Sequence, residues 1–296
     1  MSHGLHRPGA LREDLSSWQL VLPSSARFTH LTGAELRGWW LPPLPVGLPI
    51  FVAMDEGQTR PQRHGLHVSR HREINEHVTH EGLRVDTPAE CLLRCARHLT
   101  LLDMVVLCDA ALHAEHCTFD EIVAAAVPRR RGAPLLRRAV LFSDGRSESA
   151  WETVLRMLHV TCGIGVEPQR KLWTPDGQLL GRADLWVEGT KILHEYDGED
   201  HLPRAQQRKD LARLRRLNDH DFVRRGYTAP DVLHQAVSIL RDADRAVGRS
   251  HRPERIRRFH ALLADSLFTL SGQRGLQRRL NLTAWHEGAY RDRSMV

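Results

Sequence analysis

Residues 183–197, read as ADLWVEGTKILHEYD, constrain the fold of this chain more than any other stretch. Two apolar segments flank Gly189-Thr190, a glycine-first pair of the kind favoured in type II′ hairpin turns. Such a turn pairs 188 with 191, 186 with 193 and 184 with 195, because register fixes which side chains share a face. Asp184 then lies opposite Glu195, with side-chain bases roughly 5 Å apart. Asp197 projects from the same face, while Ile192, His194 and Tyr196 take the other. Carboxylates that close repel unless protons, arginines or a cation intervene. A hard divalent ion with oxygen ligands, Mg²⁺ or Mn²⁺, is the simplest resolution. Glu199 and Asp200 fall outside this alignment and read as solvated loop charges.

The surroundings extend the hairpin into an α/β unit. An amphipathic helix over SAWETVLRMLHV precedes it, with Trp151, Val154, Leu155 and Leu158 on one face. Strands are expected at VEPQRKLW, LLGRADLWV and KILHEYD. A charged helix, RAQQRKDLARLRRLND, leads to a strand at DFVRR and a final helix, APDVLHQAVSILRDADRAV. The order helix, three strands, helix, strand, helix with a small mixed sheet places the fold in the α/β (α+β) class. Upstream, a short helix capped by Thr32 precedes a proline-punctuated loop, and PIFVAMD and GLHVSRH read as strands. A mostly helical run opens at Thr87-Pro88. The expected division is a partly disordered segment over 1–26, a smaller, mostly helical α+β domain over 27–142, the α/β domain over 143–247, and a basic helical extension over 248–296.

Glu152 on the opening helix, Asp184 before the hairpin, then HEYDGEDH, RKDLARLRRL and VRR together resemble the PD-(D/E)XK nuclease superfamily. Within it, the pattern is similar to the very-short-patch-repair-like endonuclease domain known as domain of unknown function 559. The resemblance covers about 145–247 and implies a restriction-endonuclease-like core that hydrolyses phosphodiester bonds. It makes Asp184 and Glu195 the metal ligands and Glu152 the acid supporting a metal-bound water. Asp197 occupies the place where the superfamily usually has lysine, so the orienting role falls on the cation, His201 or an arginine. His201 is implied as a proton donor or outer partner, Asp210 and Arg213 as a charged pair on the next helix, and Arg225 as a basic strand-end position. Arg182, Arg213 and Arg225 are the nucleic-acid-binding candidates. Residues 27–127 resemble, more loosely, AbiEi-like type IV antitoxin proteins, on FTHLTGAELRGWWLP, GLHVSR, GLRVDTPAECLLRCARHLTLLDMVVLCDAAL and TFDEIVAAA. No separate winged helix is expected before them.

Each feature has a structural alternative. Ser149-x-x-Glu152 is a capping box, so the carboxylate can serve a backbone N–H. Asp210 and Arg213 are also an ordinary i,i+3 surface pair. His201 can simply end a loop before Pro203. His113, His116 and Cys117 lack a complementary pair for zinc, and Trp39, Trp40 and Trp151 read as core anchors rather than base-stacking platforms. The five cysteines show no CxxC or framework spacing, which points to a reducing, cytoplasmic location. No signal peptide or apolar run long enough for a membrane span is read. Of the net charge of +6, the surplus lies in 245–296, which carries 11 basic and 4 acidic residues. Such a tail suits phosphate contacts or a solvated helix face equally. Two functions follow. One is a Mg²⁺- or Mn²⁺-dependent endonuclease acting on nucleic acid, expected to be DNA, in repair or in phage or mobile-element defence. The other is a non-catalytic, antitoxin-like DNA- or protein-binding regulator. A homodimer and a toxin–antitoxin or defence-system partner are both compatible with the sequence.

Overall fold

The computed structural model describes residues 8–72, 77–127, 129–198 and 204–282; the side chains of 8–10 and 204–210 are not part of that description. In chain order the elements are α1 (Pro8–Val21), β1 (Arg27–Phe28), α2 (His30–Leu36), β2 (Ile50–Asp55), β3 (Leu66–His71), β4 (Val78–His80) and β5 (Leu83–Val85). Then come α3 (Pro88–Cys95), α4 (Leu101–His113), α5 (Phe119–Ala126), α6 (Ala133–Val140), α7 (Ala150–Thr161), β6 (Val166–Trp173), β7 (Leu179–Val187) and β8 (Ile192–Tyr196). The chain continues through α8 (Arg204–Asp219), β9 (Val223–Tyr227), α9 (Ala229–His234), α10 (Ala236–Ala246), α11 (Arg257–Ala264) and α12 (Leu270–Arg279). They form two compact units, one of 1–143 with 264–296 and one of 144–263. The fold is mixed α/β with one small mixed sheet in each unit.

The first unit holds a five-stranded sheet in the order β3-β2-β1-β5-β4, with β1–β5 and β2–β3 parallel and the other pairs antiparallel. Its central helix is α4, where every residue from Leu101 to Ala111 is buried, as a helix apolar nearly all round must be. Three expectations change here. Residues 8–21, within the segment expected to be partly disordered, form α1 and bury Leu15. Thr29, not Thr32, stands at the start of α2; Thr32 lies within the helix, where its hydroxyl accepts from the Phe51 N–H at 3.0 Å. Of the expected basic extension over 248–296, residues 248–263 fall in the second unit and the described residues from 264 to 282 in the first. Asp103 accepts from Ser266 Oγ at 2.5 Å and from Leu267 N at 3.0 Å, and Leu267, Leu276 and Leu280 are buried in this unit.

The second unit carries the antiparallel β6-β7-β8 sheet, closed by β9 parallel to β8. Helix α7 packs on β6, β7 and β8, whereas α8 packs on β7 and β9. The two helices cover opposite faces. Leu193 packs with Leu172, Leu180 and Leu217 on the α8 side, while its neighbour His194 meets His159 of α7 at 2.8 Å. The observed order is helix, three strands, helix, strand, then two helices. The last helix expected from sequence is broken at Gln235, whose backbone (φ −122°, ψ 22°) leaves the helical region between α9 and α10.

The β7–β8 register matches the expected one, Leu185 opposite His194 and Trp186 opposite Leu193, although the turn differs. Val187 C=O accepts from Thr190 N–H at 3.2 Å, so Glu188 and Gly189 are the central residues, with Gly189 at φ +75° in the third position. Glycine is required there because a side chain resists positive φ. The Thr190 hydroxyl then bridges Val187 C=O and Ile192 N–H, closing the loop without changing the pairing. Among the described residues no helix is long and apolar enough to cross a membrane.

Candidate active site

Asp184 stands where β7 is least regular. The β7–β8 ladder ends at Leu185/His194, and in place of a backbone partner Tyr196 N–H donates to Asp184 Oδ2 at 3.1 Å. On the other side, the register Pro168↔Leu185 and Arg170↔Ala183 puts Gln169 opposite Asp184. Gln169 adopts φ +54°, a left-handed conformation that costs of order 1–3 kcal/mol in a non-glycine residue and marks many functional sites. Both neighbours of Asp184 thus depart from the ladder and leave its carboxyl facing other side chains.

Two further carboxylates come to it. Ser149 caps α7 by accepting from Glu152 N at 3.1 Å, which fixes the first turn. Glu152 Oε2 accepts from Glu148 N at 2.9 Å and Gln169 Nε2 at 2.8 Å, so the acid serves a backbone N–H as the capping reading foresaw. It also raises the pKa of Asp184, and that residue is therefore a neighbour in charge. Glu195 is buried on β8 and has the same effect. Burial first, then Glu152 and Glu195, push the Asp184 carboxyl up to about 7. Trp151 stacks on Tyr196, centroids 5.8 Å apart and planes at 13°, and pins α7 to β8 beside the cluster.

Arginines answer these charges. Arg213 of α8 donates to both oxygens of Glu195, at 2.5 and 3.2 Å, and also to Arg182 C=O. Arg224 of β9 donates from Nε to Glu195 Oε2 and from Nη2 to Asp197 Oδ1. Glu195 and Asp197 hold Arg224 firmly protonated against the opposing effect of burial. Gly226 lies opposite Glu195 in the parallel register, and a Cβ there would collide with the Asp197 carboxylate. The absence of a side chain at 226 is what lets Asp197 reach Arg224.

Of the residues singled out from sequence, Asp184, Glu195, Asp197, Glu152 and Arg213 converge. Arg182 lies at the rim, its exposed guanidinium paired with Glu148 at 2.7 Å. Arg225 does not join them. It pairs in register with His194, on the opposite face, and lines a cavity with Lys191, Asp242 and Arg245. Arg224 takes the basic position instead, since its register partner Leu193 shares a face with Glu195. Parity decided this: buried Tyr227 points to the same side as Arg225, so Arg224 faces the acids. Gln169 was also missed; its left-handed backbone, its place opposite Asp184 and its bond to Glu152 all arise from the fold. His201 lies outside the described residues, as does the Asp210 side chain.

Asp184 and Glu152 present carboxylate oxygens, the ligand type that a hard divalent cation takes. Among the described residues, no group of three or more His, Cys, Asp or Glu could hold a metal ion alone. An ion here would take its remaining ligands from water and phosphate, as Mg²⁺ commonly does. Elsewhere, Trp39 is buried and donates to His116 Nδ1 at 2.8 Å, and all five cysteines are free and buried.

No family model matches the chain. It is similar to an uncharacterized protein of Mycobacterium tuberculosis strain H37Rv, Rv2248, with 27% identity over 172 residues. The strain CDC 1551 protein MT2308, also uncharacterized, matches equally. The match takes in 56% of this chain and 64% of each relative's length. No solved structure matches.

Proposed function

We propose that residues 144–263 are a Mg²⁺- or Mn²⁺-dependent endonuclease of the PD-(D/E)XK type that hydrolyses phosphodiester bonds, with DNA as its substrate. The observation that carries this reading is the convergence of acids from α7, β7 and β8 at an irregular point of the sheet. Asp184 and Glu152 would hold the cation, which when bound supplies Lewis-acid stabilisation and a more acidic water. Glu195 keeps Arg213 and Arg224 at the edge of the cluster, where their positive charge and remaining N–H groups would meet phosphate oxygens. Gln169 orients Glu152. Asp197 anchors Arg224, so the position usually held by lysine acts through an arginine on the neighbouring strand.

One observation favours a second reading, a non-catalytic nucleic-acid-binding regulator. Both oxygens of Glu195 are already taken by arginines, which satisfies the acid without any ion. The two are separated by incubating purified protein with Mg²⁺ or Mn²⁺ and double-stranded DNA, single-stranded DNA or RNA. The nuclease reading expects cleavage that Asp184→Ala and Glu195→Ala abolish. Metal-independent binding that survives both substitutions, with no cleavage of any substrate, would sink it.

A further inference from the structure

In the first unit, a cavity of about 180 Å³ is lined by His71, Leu93, Arg94, Arg97, Arg130 and Arg131. Two of its four arginines are fixed by acids. Arg94 is almost fully buried and pairs with Asp86 at 2.8 Å and Glu90 at 2.9 Å, and Arg130 pairs with Glu90. Asp86 is shared with buried Arg27 at 2.5 Å, so two carboxylates already serve three guanidiniums. The guanidiniums of Arg97 and Arg131, unlike those of Arg94 and Arg130, face no carboxylate within ion-pair distance among the described residues.

This positive charge is held against its own repulsion. Half-buried Arg97 has its pKa lowered by burial and then by Arg131, Arg94 and Arg130. Beside it, His71 is lowered to about 4 by burial, Arg94 and Arg97, so its imidazole adds no further cation at neutral pH. Gly132, at φ +93°, brings the backbone so close to Leu93 and Arg97 that no Cβ fits, and this holds Arg130 and Arg131 over the cavity. Like charges gathered in a concave, partly desolvated place are unfavourable unless an anion joins them. Guanidiniums match a tetrahedral oxyanion through paired N–H donors. At about 180 Å³ the cavity has room for such a group with a few waters.

We propose that this cavity is a phosphate-binding site, with Arg97 and Arg131 as the free donors and Arg94 and Arg130 as a fixed positive floor. The phosphate belongs either to a nucleic-acid backbone or to a small phosphorylated molecule. The site lies wholly in the first unit and is independent of whether the second unit cuts.

The test titrates the full chain with orthophosphate, followed by calorimetry and by the arginine side-chain N–H resonances, against chloride at equal ionic strength. Arg97→Gln with Arg131→Gln removes only unpaired groups and so leaves the buried ion pairs intact. The double variant is expected to lose about tenfold or more in orthophosphate affinity, the effect of one charge-assisted hydrogen bond or more. Orthophosphate that displaces a DNA duplex from the wild type, with duplex binding weakened in the double variant, assigns the site to the backbone. Orthophosphate binding with duplex binding untouched assigns it to a small phosphorylated molecule. Orthophosphate affinity equal in the wild type and the double variant, or arginine resonances unmoved in the wild type, overturns the proposal.

Discussion

Asp184 is the residue on which the second unit's chemistry turns, and its proton gives it a measurable signature. Its carboxyl is raised from 3.8 to about 7 by burial and by Glu152 and Glu195. The folded state therefore keeps a proton that the unfolded chain releases near pH 4. Between those values the unfolded state binds fewer protons, so this residue makes the unit less stable as pH rises from about 4 to 7. One pKa unit corresponds to about 1.4 kcal/mol, which bounds the effect at about 4 kcal/mol. Asp184→Asn retains an acceptor for Tyr196 N–H but cannot ionise. It is expected to match the wild type near pH 4 and to exceed it in stability above pH 7, as read from urea midpoints. Parallel pH profiles for the two proteins would refute this account. The acid itself was visible in the hairpin pattern, but Gln169 and Arg224 were not. Alternation along an isolated strand does not say which of two adjacent arginines faces the acids until the parallel partner strand sets the parity.

At the scale of elements, Arg213 ties α8 to the hairpin and Arg224 ties β9 to it, both through Glu195. Glu195 is 3% exposed, so it depends on these partners. Removing Arg213 leaves the buried carboxylate with Arg224 alone, whereas neutralising the acid leaves behind two arginines that are about a quarter exposed and reach water, one of them still paired with Asp197. Arg213→Ala is therefore expected to cost about 2–4 kcal/mol, more than Glu195→Gln. Denaturant unfolding of the two variants checks the order, and a larger loss for Glu195→Gln would contradict it. The helices and strands of this unit were legible because their periodicities are strong: β6, β7 and α8 span the segments read from sequence. The break at Gln235 and the turn centred on Glu188–Gly189 were not. Both are decided by single backbone torsions that neighbouring residue types permit without demanding.

At the scale of the whole molecule, buried and half-buried neutral histidines set the response to acid. His30, His67, His71 and His98 in the first unit, and His159 and His194 in the second, all have pKa values lowered chiefly by burial. Their stabilising contribution is complete above about 6.5 and is lost as pH falls toward the folded-state values, about 4 for His71, His98 and His159. These groups outnumber Asp184, whose effect has the opposite sign. The full chain is therefore expected to lose stability steadily between pH 6.5 and 4.5, and thermal midpoints that stay flat or rise on acidification would show otherwise. By itself, the sequence determined the α/β class, the hairpin register and the acids that share its face, because alternation and turn chemistry are local and act on every residue. It did not determine that residues 264–282 pack into the first unit, tied there by the bonds of Ser266 and Leu267 to Asp103. Nor did it reveal the arginine cavity, whose residues come from β3, α3, the turn after α3 and the segment before α6. Those features depend on which distant segments meet, and burial of apolar surface, being non-directional, leaves that choice to the packing of the whole unit.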